Sequence, residues 1–296
     1  MELGPTTPQP TAFYDGGLPP GGPRRDLPAK IMLERIEEAV DGRPRESFRM
    51  LRRIAYDDER YGEILVPADP AAFATDFASV PTLLTWLVPR TGAHLPAALV
   101  HDGLVGNQDY LASQEIERVE ADLVFRRAMR DSGIPLIRRW LVWSAVSLGT
   151  IWSGSASWSG AQRLRYRVAA FGSLLVVAAL GVIATLDLVD VVAWLPWMGA
   201  DRGFLLELVG GLAGAVVVPL VLGLTWGRFA IAGAITGIAL AVLLHVTALL
   251  LAVTGAYQLA ERVARRTPLF GLVATGVVLA ASVVLTLLLV GTADMG

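Results

Sequence analysis

The residues best able to do chemistry are His101 and Asp102, which follow the apolar run Ala97, Ala98, Leu99 and Val100. Pro96 pre-sets the first turn of a short helix over PAALVHDGLV. Consecutive residues on a helix point about 100° apart. His101 and Asp102 therefore cannot face one partner: one faces a site while the other caps, chelates or pairs with an arginine. A second helix is expected from about Ser113 to Asp131, ended by Gly133 and Pro135. On it Asp122 has Val119 and Phe125 about 60° to either side. That places a carboxylate at least partly in the core, where it needs a partner.

Three uses of this cluster are open. In a metal-dependent hydrolase His101 is the general base, Asp122 orients it, and Asp102 with Asp76 binds a divalent cation such as calcium. In a structural network Asp76 opens the ASVP turn through backbone amides, His101 bonds within the core, and Asp102 or Asp122 pairs with Arg118 or Arg126. In the third, the same cluster holds a ligand or partner without catalysis. His94, after Gly92, is expected in a solvent-exposed loop, with a share in a metal site as the alternative. The serines of GSASWSG lack a strand-to-helix nucleophile elbow and read as a juxtamembrane linker.

The elements that position these residues fall into two parts. Residues 168–296 carry eleven charged side chains, against forty-one in residues 1–167. Four apolar segments, about 168–186, 204–224, 229–254 and 269–290, each meet the ~20 residues that cross ~30 Å of hydrocarbon. Trp194, Trp197 and Trp226 fall between them at headgroup level, and Gly210, Gly211, Gly214, Gly233 and Gly237 allow close helix approach, including oligomer formation. His245 in the third segment is an intramembrane ionisable residue, with Glu207 as a partner for an ion or proton path; a hydrogen bond to another helix is the structural alternative.

Ahead of the spans, residues 1–28 are rich in Pro and Gly and read as a disordered tail. AKIMLERIEEAV reads as a short amphipathic helix that Asp41 and Gly42 terminate. ESFRMLRRIAYDDERYGEILVP reads as a β-hairpin turning around Asp57 to Arg60, with Phe48, Met50 or Leu51, Ile54, Ile64 and Val66 inward. IRRWLVWSAVSLGTIW forms a third helix, with Trp140, Trp143 and Trp152 against other helices or the membrane surface. The fold class is a small α+β soluble domain (29–160; β-hairpin plus helices) followed by an all-α four-helix transmembrane region (161–296).

The motifs TDFASVP, W-L-x-P-x-x-G, AALVHD, AD-x-x-F and VWSAVSLG together resemble the phage-associated and bacterial family catalogued as domain of unknown function 1353, over about residues 48–152. The resemblance implies a small independent domain in phage or prophage neighbourhoods and carries no activity with it. Where that family has H-D-Y-L-Y, this chain has Gly103 and Val105. An H-D helix followed by A-D on the next also resembles calcium-dependent phospholipase A2, especially its cysteine-free viral form. The glycine-rich calcium loop of that family is missing.

A formal net charge of -2 supplies no field to recruit nucleic acid, and the absence of cysteine excludes disulfides, thiolate metal sites and a cysteine nucleophile. No basic n-region precedes an apolar h-region at the N-terminus. Arg163, Arg165 and Arg167 before the first span, against Asp187, Asp190 and Asp201 after it, place the soluble domain in the cytoplasm. Arg262, Arg265 and Arg266 oppose that orientation. The expectation is a multi-pass membrane protein, with the bilayer as partner and a protein partner on the soluble face. Its role is a scaffold or interaction module, with the hydrolase as the alternative.

Overall fold

The computed structural model describes residues 12–40, 43–75, 92–106, 109–199 and 203–266, with Gly276, in two compact units, Met1–Val242 and Leu243–Gly296. Among the described residues the first unit opens with strands β1 (Phe13–Asp15) and β2 (Arg24–Pro28), where composition suggested a disordered tail over 1–28; residues 1–11 of that tail lie outside the described set. Few apolar residues suffice because they pair centrally: β1 lies between β2 and β5 (Ile54–Asp58), and Phe13 stacks on Tyr56 at 4.7 Å. Asp15 locks the end of β1 by accepting from the Arg52 guanidinium and from the Gly17 amide. With β6 (Gly62–Val66) the first antiparallel sheet runs β2-β1-β5-β6.

A second sheet, β3-β4-β7, joins β3 (Leu33–Val40), β4 (Arg43–Met50) and β7 (Ala74–Thr75). The helix expected over 29–40 is thus a strand. Its residues have fair helix propensity, but β4 offers a full ladder from Leu33↔Met50 to Val40↔Arg43, with Asp41 and Gly42 between the paired ends. Asp-Gly between strand-length runs is a hairpin signal as much as a helix stop. Directly opposite residues Glu34 and Arg49 add a cross-strand ion pair at 3.8 Å. The turn expected around Asp57 to Arg60 joins β5 and β6, paired from Ile54↔Val66 to Asp58↔Gly62, but the first expected strand is divided, its residues up to Met50 belonging to β4 of the other sheet. Met50, Ile54, Ile64 and Val66 are fully buried, Phe48 is half-buried and Leu51 is exposed.

Three helices follow, α1 (Leu95–Val105), α2 (Arg118–Asp131) and α3 (Leu136–Ser153): α1 packs on β5 and β6, α2 on β5, and α3 on α2. The second begins five residues later than its periodicity suggested. α1 is buried nearly all round, with Ala97 to His101, Gly103 and Leu104 enclosed. Leu99, Val100 and Leu104 share one core with Ile54, Ile64 and Val66. Each such aliphatic side chain stabilises by about 1.5–3 kcal/mol when fully buried. Gly103 is required at the contact with β6: a Cβ there would stand 2.9 Å from Val66 Cγ2.

α4 (Gly160–Leu188) starts at a capping box, with the Gln162 amide donating to Ser159 Oγ at 3.2 Å and the Ser159 amide to Gln162 Oε1 at 2.9 Å. α5 (Phe204–Gly223), a 3-10 turn (Leu224–Phe229) and α6 (Ala230–Arg266) follow. Among the described residues two stretches are long and apolar enough to cross a membrane, Gly160–Leu188 and Phe204–Leu244. Only 17% and 11% of their most apolar windows are buried, whereas the core helix of a soluble protein is mostly buried. The second stretch contains the second expected span and part of the third, because Gly227 (φ 59°, ψ -118°) breaks the helix between them. Apart from Gly276, the expected span over 269–290 lies outside the described residues, so the four-span region is found only in part.

The Gly227 break reverses the chain. A Cβ on Gly223 would lie 2.7 Å from Ala234 N, and one on Gly237 would lie 2.7 Å from Pro219 Cβ, so α5 and the start of α6 return side by side with backbones in contact. Trp226 is buried within the protein, its Nε1 donating to Ser173 Oγ of α4 at 2.8 Å. The turn also rests on the foot of α4: Phe229 contacts Trp158 and Tyr166 with ring centroids 5.9 and 5.5 Å apart. Arg228 reaches Glu120 of α2 at 3.6 Å. The α5–α6 turn thus lies on the same side as the strands and α1–α3. The loop after α4 is folded by Asp187, which accepts from the amides of Trp194 (2.9 Å) and Leu195 (3.0 Å). In the second unit, α6 continues to Arg266 with Val253, Tyr257 and Leu259 exposed.

Candidate functional site

The end of α1 adjoins the start of α2, and along this helix pair His101 meets Asp122. Nε2 and Oδ1 are 2.9 Å apart, and the two residues are 5% and 1% exposed. A carboxylate only accepts, so in a neutral imidazole this contact selects the tautomer with hydrogen on Nε2 and a lone pair on Nδ1. Among the described residues Nδ1 and Asp122 Oδ2 have no hydrogen-bond partner. Phe125, one helical turn beyond Asp122, stacks on the imidazole at 4.7 Å and fixes its plane. The pair has the parts of an oriented base: a carboxylate behind one ring nitrogen, a lone pair on the other, and an apolar wall.

Asp102 is half-buried on a different side of α1, as 100° per residue requires, and its carboxylate accepts from the Thr75 hydroxyl at the end of β7. Asp76, expected beside it, lies outside the described residues. Among those described, no group of three or more His, Asp or Glu could hold a metal ion. His94 differs from expectation: it is buried at the entrance to α1, with its carbonyl accepting from the Ala98 amide at 2.9 Å.

The arginines expected to pair with Asp102 or Asp122 do other work. Arg118 Nε donates to Thr150 Oγ1 at 3.3 Å, and Arg126 lies over the rings of Trp140 (4.3 Å) and Trp143 (4.9 Å). Burial, with Arg127, Arg139 and Arg130 nearby, pushes the Arg126 guanidinium below its ordinary value. Glu207 is buried in the first turn of α5, and His245 lies on α6 with its side chain outside the described set.

Sequence reasoning missed a second polar centre. Asp58, read as turn polarity, is buried and accepts from Arg127 Nε (2.8 Å) and Nη2 (2.9 Å) and from the amides of Arg60 and Tyr61 (both 3.0 Å). Burial raises its carboxyl, but these four donors outweigh that and hold it below the usual carboxylate range. Nearby, the Tyr56 hydroxyl donates to Asp131 Oδ2 at 2.9 Å; burial and that carboxylate push the phenol well above its ordinary value. The one sequence signal for this centre was the acidic Asp57-Asp58-Glu59 turn, whose counter-charge, Arg127, lies 69 residues beyond Asp58 on α2.

Residues 48–146 match the model of a family described as a protein of unknown function (DUF1353). The match holds His101, Asp102 and Asp122, and it stops within α3, before the apolar helices. No curated protein and no solved structure matches the chain.

Proposed function

We propose that the chain is a membrane-seated scaffold or interaction module, in which a cytoplasmic α+β domain of a phage-related family is held rigidly against the bilayer by multiple apolar spans. The observation that carries this reading is the exposure of the long apolar helices. Leu164, Val168, Leu175, Val182, Leu205, Val209 and Val221 all face outward, and water is a costly environment for such a face. The Phe229, Trp158 and Tyr166 cluster and the Arg228–Glu120 contact support rigid seating over a flexible tether. In membranes washed with alkaline carbonate the full chain should remain in the pellet; release into the wash would end this reading. The chain has no cysteine, so single substitutions report topology cleanly. Ala193→Cys in the loop after α4 should react with an impermeant thiol reagent from outside intact cells, and Asp26→Cys in the soluble part should not.

The unpartnered Nδ1 of His101 favours one second reading, a metal-dependent hydrolase similar to phospholipase A2. His101 would take a proton from water, Asp122 would stabilise the resulting imidazolium, and Asp102 with Asp76 would hold a divalent cation such as calcium. Ester hydrolysis in mixed phospholipid micelles should then fall by about 10²-fold or more in His101→Gln, and calcium binding should be lost in Asp102→Ala. Full-length protein without activity or cation binding would remove this reading and leave the pair as core packing.

A further inference from the structure

A cleft of about 530 Å³ opens where the end of α1, the start of α2 and the end of α3 meet. It is separate from the His101–Asp122 pair and from the Asp58 centre. Glu115, Glu117 and Arg118 line one side, Gly154 and Ser155 the other. Both charge signs therefore face one small volume. Arg118 spends one donor on Thr150 and has no carboxylate partner among the described residues. Glu117 accepts from Ser157 Oγ at 3.0 Å, and Glu115 is exposed.

Three further features supply donors without acceptors. Ser155 is 3% exposed, yet its hydroxyl has no partner among the described residues. The guanidinium of Arg163 packs on Gly154, where a Cβ would lie 2.5 Å from Nε, and that Nε is also unpartnered. The α2 N-terminus opens on the same cleft without a side-chain cap, leaving first-turn amides for an anion.

Position supplies the ligand's source. Arg163 stands five residues before Val168, the start of the first apolar segment, which is about 7.5 Å along a helix axis. The headgroup layer on one side of a bilayer is about 5–8 Å thick. The cleft therefore opens at headgroup depth if α4 spans, and the lipid source rests on the membrane reading above.

We propose that this cleft binds a phosphoethanolamine headgroup, with the phosphate held by Arg118, the Ser155 hydroxyl and the α2 amides, and the ammonium held by Glu115 and Glu117. Arg163 adds positive charge behind Gly154. A purely anionic headgroup would meet the two glutamates unfavourably, and a bare amine would leave the arginines unmatched.

The test uses the full chain in nanodiscs containing phosphatidylethanolamine and phosphatidylglycerol in equal amounts, with retained lipid read by native mass spectrometry. Phosphatidylethanolamine should be retained over phosphatidylglycerol by about tenfold, the ratio expected from one charge-assisted hydrogen bond. Glu117→Gln, at an exposed position, should lower that ratio, and Arg118→Gln should lower retention of both lipids. Glycerophosphoethanolamine titrated into detergent-solubilised protein forms the second arm. Binding there supports the cleft's chemistry with a soluble source sufficient; retention in nanodiscs alone assigns the source to the membrane. Equal retention of both lipids, or ratios unmoved by both substitutions in folded protein, overturns the proposal. Release of the chain by carbonate with intact glycerophosphoethanolamine binding would overturn only the membrane reading.

Discussion

Replacing Arg127 with methionine should destabilise the turn between β5 and β6 by about 3 kcal/mol, the lower end of the ~3–5 kcal/mol for stranding one member of a buried ion pair. The lower end applies because Asp58 keeps two of its four donors, the amides of Arg60 and Tyr61 at 3.0 Å. Lost are the bonds from Nε and Nη2, to a carboxylate whose side chain is 0% exposed. Methionine keeps most of the apolar stem, so the loss reads the charge-assisted bonds more than the packing. Against a typical total of ~5–15 kcal/mol, such a change is large. Hydrogen exchange of the full chain in detergent micelles, followed on peptides covering residues 54–66, measures it as a drop in opening free energy. A cycle with Asp58→Asn isolates the pair, with a coupling of at least about 1.5 kcal/mol expected. A change below about 0.5 kcal/mol in Arg127→Met, or additive single substitutions, would refute the claim that this pair fastens the hairpin to α2.

The same carboxylates set an acid limit. Asp15, lowered by its Arg52 hydrogen bonds, and Asp58 bind protons less readily folded than unfolded, so their contribution is present above about pH 3.8 and lost as pH falls through the depressed folded values. Protection of β1 and β5 should therefore decline below pH 3.8, whereas Asp58→Asn should flatten the dependence at β5. Gly103→Ala should gain about 1 kcal/mol of helix propensity but lose about 1–3 kcal/mol to overpacking against Val66, for a lower melting temperature. An unchanged or higher melting temperature would mean that β6 yields. Gly237→Leu should separate α5 from α6 at Pro219 and lower the detergent melting temperature, while Gly255→Leu, where nothing lies near the added Cβ, should not.

Local pattern was enough for some elements. The β5–β6 hairpin, α1, α3 and the apolar stretches follow from short-range period, Pro and Gly punctuation and charge depletion, each a property of neighbouring residues. The Asp122 carboxylate was placed in the core by helix geometry alone, since Val119 and Phe125 flank it. Other features depended on partners distant in sequence. Residues 33–40 have the composition of a helix and become a strand because β4 supplies a matching ladder, and Phe13 and Tyr14 escape a Pro-Gly tail because β5 offers them a central place. His94 is enclosed by packing that no local rule encodes.

At the site, residue types proposed the acid and base, but only tertiary structure chose the pairings. Asp122 takes His101 and leaves Arg118 and Arg126 to Thr150 and two tryptophans; Asp102 takes the Thr75 hydroxyl. The sequence by itself determined where the chain is apolar, where it turns, and which residues could exchange protons. Which buried donor meets which acceptor was decided by the fold, because that choice follows from three-dimensional distance and from the cost of leaving a polar atom unmet.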